Sequence, residues 1–121
     1  MSDKKQINIQ SIKSVKHVTF NESRILDEMS IKVIYDEITE LVEKTPKIKL
    51  ILDFDQVDYL SSAVLGKMVA LNKDIKKDGG HLVLANIKAP ILEVFRITKL
   101  DKVLDIKENA FESMKSFGFT S

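Results

Sequence analysis

The feature that most constrains this chain is a repeated switch in hydrophobic period through its middle. From Ile31 to Val42, apolar residues recur at Ile31, Ile34, Ile38, Leu41 and Val42, with Lys32, Asp36, Glu37, Glu40 and Glu43 between them. That spacing predicts a helix with one apolar stripe, started by Ser30 or Asp27 as cap and ended by Pro46. Residues 48–54 (IKLILDF) follow as a short, nearly continuous apolar run, the pattern of a strand covered on both faces. A second amphipathic segment, from about Ser62 to Lys77, turns Val64, Leu65, Met68, Leu71 and Ile75 inward and Lys67, Lys73, Asp74 and Lys77 outward. Gly79-Gly80 stops it, and residues 81–85 (HLVLA) form another buried strand. Strands joined through helices of this length are parallel neighbours with right-handed crossovers.

The flanks extend the pattern. Residues 7–13 and 15–20 read as strands, and Asn21 to Arg24 as a turn. Pro90 opens a third helix, where its missing N–H costs little, with Ile91, Leu92 and Phe95 facing inward. Val103 to Ile106 is expected as a last strand and Asn109 to Phe117 as a final helix, with Phe111 and Met114 packing it onto the sheet. Phe119 is left for dimer or partner contact. The order β-β-α-β-α-β-α-β-α implies an α/β fold: one mixed sheet of about four to five strands with about four helices. The expectation is a single domain over 1–121 with its core at 7–117.

Composition narrows the function classes. A formal charge of +1 gives no general attraction to nucleic acid or anionic membranes. No apolar run is long enough to span a bilayer, and no apolar core follows the N-terminal lysines as a secretory signal requires. The absence of cysteine removes disulfides, thiolate chemistry and Cys-based metal sites, which fits a reducing cytoplasm.

The most informative stretch is residues 53–68, DFDQVDYLSSAVLGKM: strand, polar loop, then two serines at the start of a helix. Unpaired N–H groups and the helix dipole favour an anion there. A phosphate on Ser61 or Ser62 would add about −1.5 to −2 charges in that field and weaken any interface burying the helix end. The plainer alternative is that Ser61 caps the helix and Ser62 lies in its first turn.

The segment from Leu60 to Ile106 resembles the STAS family, the anti-sigma factor antagonists and their relatives. In that family a strand leads into a D-S-[ST]-G-like motif that starts a helix; a Gly-Gly turn, a strand and a Pro-headed helix with Phe follow. This chain has Leu60-Ser61-Ser62-Ala63, Gly79-Gly80, Leu82 to Ala85, Pro90, Phe95 and Leu100 in that order. The likeness spans residues 7–117 in element order and is most specific over 48–106. It implies a phosphorylatable hydroxyl at Ser62, with Ser61 second. It further implies a partner: an anti-sigma factor that is also a serine kinase of the histidine-kinase-like ATPase type. The unphosphorylated antagonist binds that partner, phosphorylation reverses the binding, and a serine phosphatase resets the cycle. Asp55, Asp58, Leu60, Ser61, Ser62, Ala63 and Lys67 are the implied docking residues. Two positions depart from the family: Leu60 replaces the Asp, removing a carboxylate, and Ala63 replaces the Gly, stiffening the entry to the helix. The alternative is a non-phosphorylated STAS scaffold or small-ligand sensor.

Other constellations carry less. Asp53, Asp55 and Asp58 lack the glycine and distal glutamate of a calcium loop and read as a solvated strand end. His17 and His81 have no serine, cysteine or carboxylate at a catalytic spacing and read as structural or surface residues. Lys73, Lys76 and Lys77 read as a solvated face. No cofactor, no metal and no enzymatic role are expected.

Overall fold

A computed structural model of the protein describes residues 7–21, 24–25 and 28–118. Strands β1 (Ile7–Ile12) and β2 (Val15–Phe20) form an antiparallel hairpin. After them come a two-residue strand β3 (Arg24–Ile25), helix α1 (Glu28–Lys44) and strand β4 (Lys49–Asp53). Next are a two-residue strand β5 (Tyr59–Leu60), helix α2 (Ser62–Lys77), strand β6 (His81–Ala85) and helix α3 (Ala89–Ile97). A 3-10 turn (Leu100–Lys102), strand β7 (Asp105–Lys107) and helix α4 (Ala110–Ser116) complete the chain. The main sheet has the order β1-β2-β4-β6-β7, antiparallel at its first pair and parallel thereafter. The α/β architecture read from the sequence is therefore the architecture observed.

The pleat assigns the two faces. Val18, Leu52 and Leu84 stand side by side in register, and with Phe20, Leu50, Phe54 and Leu82 they form the larger core. Against it pack Ile31, Ile34 and Ile38 of α1, Val64, Met68, Leu71 and Ile75 of α2, and Ile91 and Phe95 of α3. On the opposite face Val15, Ile51 and Ala85 meet Met114 and Phe117 at the far end of the chain. The strands of the middle are thus apolar on both sides, as residues 48–54 and 81–85 require.

Helix α2 ends in a two-bond C-terminal cap. The N–H of Gly80 donates to the Ile75 carbonyl at 2.8 Å and that of Gly79 to the Lys76 carbonyl at 3.0 Å. Gly79 has φ +84°, and a Cβ on Gly80 would lie 2.5 Å from the Ile48 carbonyl oxygen. Both glycines are therefore demanded by the turn.

Several expectations need correction. Ser30 lies inside α1 and does not cap it, while Asp27 lies outside the described residues. The last strand begins at Asp105, because the chain is still turning before it: Leu104 donates to the Leu100 carbonyl at 2.8 Å, and Val103 is 47% exposed. Arg24, read as the end of a turn, pairs together with Ile25 in a small parallel ladder with Tyr59–Leu60, read as loop. Phe111 does not pack the last helix; it is 56% exposed with the Lys115 ammonium over its ring, while Met114 makes the contact as read, joined by Phe117. Phe119 lies outside the described residues.

Candidate functional site

The β4–α2 connection is built from its first residue. Asp53, only 7% exposed, ends β4 and collects three donors. Its Oδ2 bonds His17 Nε2 at 2.8 Å; its Oδ1 accepts from Asn86 Nδ2 at 2.9 Å and from the Asp55 N–H at 3.0 Å. Burial pushes the Asp53 pKa up, but the hydrogen bonds from His17, Asn86 and the Asp55 backbone, with the charge of His17, outweigh it and hold the carboxyl below its usual range. An ionised Asp53 only accepts, so His17 Nε2 is the donor in this pair.

This carboxylate ties the end of β4 to the middle of β2 and to the residue just after β6, and turns the chain. Phe54 N–H donates to the Ala85 carbonyl at 2.9 Å, Val57 N–H to the Phe54 carbonyl at 3.0 Å, and Val57 is fully buried. Asp55 and Asp58 stay exposed, Asp55 accepting from Gln56 and Asp58 pairing with Lys88. The solvated reading therefore fits Asp55 and Asp58 and fails for Asp53.

The loop closes through Leu60, half-buried against the main core, and delivers Ser61 to the N-cap position of α2. Ser61 has extended backbone (φ −79°, ψ 162°), and its carbonyl accepts from Val64 N–H at 3.0 Å. Its side chain makes no capping bond, and Oγ is shut from solvent with no hydrogen-bond partner. The position is a cap; the hydroxyl does not act as one. Ser62 and Ala63 are exposed, and with Gly66, Lys67 and Ala70 they form one outward stripe at helical spacing. A Cβ added at Gly66 would meet nothing within 4 Å, so this stripe is smooth and open. Within it the Lys67 ammonium lies 4.8 Å from the Tyr35 ring centroid.

The structure thus brings Leu60, Ser61, Ser62, Ala63 and Lys67 together at one helix start, reached by the loop that carries Asp55 and Asp58. The sequence reading missed the supports, Asp53, His17, Asn86 and Lys88. The available signals were an aspartate closing an apolar strand and an asparagine just after another, which here adopts φ +57°. His81 also has a carboxylate partner, Asp105 Oδ2 at 2.7 Å; as for His17 and Asp53 the two lie far apart in sequence, and neither pair departs from the structural or surface role read for the histidines. Among the described residues no cluster of three or more His, Asp or Glu side chains is arranged to hold a metal ion. No described helix is long and apolar enough to cross a membrane.

The STAS domain family model matches residues 6–114. The chain belongs to the STAS family. The anti-sigma-B factor antagonist of Bacillus subtilis is 29% identical to this STAS domain over 100 residues, covering 83% of the chain and 90% of the relative. An anti-sigma-factor antagonist STAS protein from Planctomyces limnophilus superposes with a TM-score of 0.79 at 21% identity, over 91% of this chain and 95% of that one. The phosphorylated form of the Bacillus cell fate determinant SpoIIAA gives a TM-score of 0.68 at 12% identity, over 92% and 98% of the two chains. These structures share the fold of this STAS domain, which is similar in sequence to an anti-sigma factor antagonist.

Proposed function

We propose that this STAS domain is a cytoplasmic regulator of transcription that docks through the start of α2 onto an anti-sigma factor of the histidine-kinase-like serine kinase type. It catalyses nothing itself. Phosphorylation of Ser62 undoes the docking, and a serine phosphatase restores it. The observation that carries this reading is the difference between the two serines: Ser62 is exposed on the first turn, whereas the Ser61 hydroxyl is closed to solvent. A kinase needs an accessible hydroxyl, so Ser62 is the acceptor and Ser61 is not. The first turn carries no acidic side chain, so a phosphate there meets the positive end of the helix. In the docked complex the same charge would have to be desolvated against the partner. Exposed Asp55, with Asp58 beside it in sequence, offers carboxylates to basic groups of the partner, and Ala63 with Gly66 lets the partner's backbone approach closely.

Leu60 favours the second reading, a constitutive scaffold or ligand sensor, since no carboxylate flanks the serines. The cavity between α1 and α2, lined by Phe20, Ile34, Tyr35, Phe54 and Met68 among others, holds about 10 Å³, one water at most, so a ligand would have to sit elsewhere. The test is binding to the kinase partner by Ser62→Asp and Ser62→Ala. The aspartate variant is expected to lose affinity by about a hundredfold or more and the alanine variant to bind constitutively. Equal affinity of both would remove Ser62 from the mechanism.

A further inference from the structure

The main sheet ends in two unlike edges. Strand β7 is three residues long and carries Asp105 and Lys107. Strand β1, INIQSI, runs six residues without a charge or a proline, its register with β2 unbroken by a bulge, and no described strand pairs with its outer side. Sheets ordinarily blunt an open edge with such devices, and here they are missing. The Lys13-Ser14 turn has φ 49° and 70°, a two-residue hairpin loop, so Ile12 and Val15 flank it as a hydrogen-bonded pair. Alternation then makes Gln10 with His17 and Asn8 with Thr19 hydrogen-bonded pairs as well. The N–H and C=O groups of Ile7, Ile9 and Ser11 consequently point outward. Ile9 is 45% exposed, and an open cleft along this edge is lined by Ile7, Asn8, Ile9, Gln10, Thr19 and Glu37. In that cleft Glu37 Oε1 is shut from solvent and has no hydrogen-bond partner.

We infer that β1 binds a second copy of this chain, antiparallel and two-fold about Ile9. In that register Ile9 faces its own counterpart, Asn8 faces Gln10 and Ile7 faces Ser11, so apolar meets apolar, amide meets amide and no like charges oppose. The outward backbone groups of Ile7, Ile9 and Ser11 pair with one another. Charge complementarity selects the same occupant. Lys16 Nζ donates to Ser11 Oγ at 2.7 Å, so Ser11 of the second copy brings its Lys16 to the face of Ile7 where Glu37 lies. The edge is remote in sequence from Ser62, and this pairing stands or falls independently of the phosphorylation switch.

Sedimentation velocity on the full chain, over a concentration series up to about 1 mM, tests it. The wild type is expected to show a monomer–dimer equilibrium. Ile9→Lys sets two ammonium groups against each other, and Ser11→Pro removes an outward N–H together with the hydroxyl that holds Lys16; each should raise the dissociation constant about tenfold or more with circular dichroism unchanged. Glu37→Lys should weaken the dimer, and adding Lys16→Glu should restore it. A wild type that stays monomeric throughout overturns the inference. So does a dimer that Ile9→Lys and Ser11→Pro leave intact.

Discussion

Helices α2 and α4 begin in opposite ways. Helix α4 is closed by its own sequence: Asn109 at the N-cap accepts the Glu112 N–H at 2.9 Å, and Glu112 places a carboxylate in the first turn. Helix α2 has a serine at the same position, yet that hydroxyl caps nothing and no acid lies in the first turn. What holds the loop into α2 lies upstream, where Asp53 bonds His17 and Asn86 across the sheet. One helix start is thus finished locally, while the other is positioned from outside and left electrostatically open. The comparison teaches that a capping residue at a capping position is no proof of a cap. It also shows how this STAS domain keeps the start of α2 exposed while fixing the loop that leads into it.

The largest effect should come from the external support. Asp53→Ala leaves three donors without their acceptor and is expected to cost about 3 kcal/mol in urea unfolding. The same contribution should fade with acid. Because the folded-state pKa of Asp53 is depressed, its stabilisation is complete above the unfolded value and is lost as pH falls through the folded one, below about pH 4. An Asp53→Asn variant should therefore show a flatter acid-unfolding curve. If the two curves coincide, the carboxylate does not position this loop.

Next comes the local cap. Asn109→Ala should cost about 1 kcal/mol and unfold α4 preferentially, visible as faster amide exchange at Glu112 and Ser113. The smallest effect is the sharpest. Ser61→Ala, formally the same kind of substitution, should change stability by less than about 0.5 kcal/mol, or raise it, since it deletes a buried hydroxyl without a partner. A loss as large as that of Asn109→Ala would erase the contrast between the two helices.

Much of this was legible in the sequence because it is periodic. The stripe of Val64, Met68, Leu71 and Ile75, the stop at Gly79-Gly80 and the two-faced runs at 48–54 and 81–85 each carry a local signature of their element. Elements without a period of their own escaped. Strands β3 and β5 are two residues each and exist through their mutual pairing. Val103-Leu104 looks like the opening of a strand, but Leu104 is drawn into the core while the backbone still turns. The site divides the same way. Ser61 and Ser62 at a helix start could be read directly, whereas the supporting His17–Asp53 pair joins residues 36 positions apart, and only the strand register brings them together.

The account rests on Ser62 being the residue that switches docking. The most direct measurement isolates the protein from its native cells in partner-bound and free fractions and maps phosphate on each by mass spectrometry. The account predicts phosphate on Ser62 in the free fraction, none on Ser61, and an unmodified chain in the fraction bound to the kinase. Phosphate on Ser62 in the bound fraction, or an unmodified Ser62 in both, would contradict it.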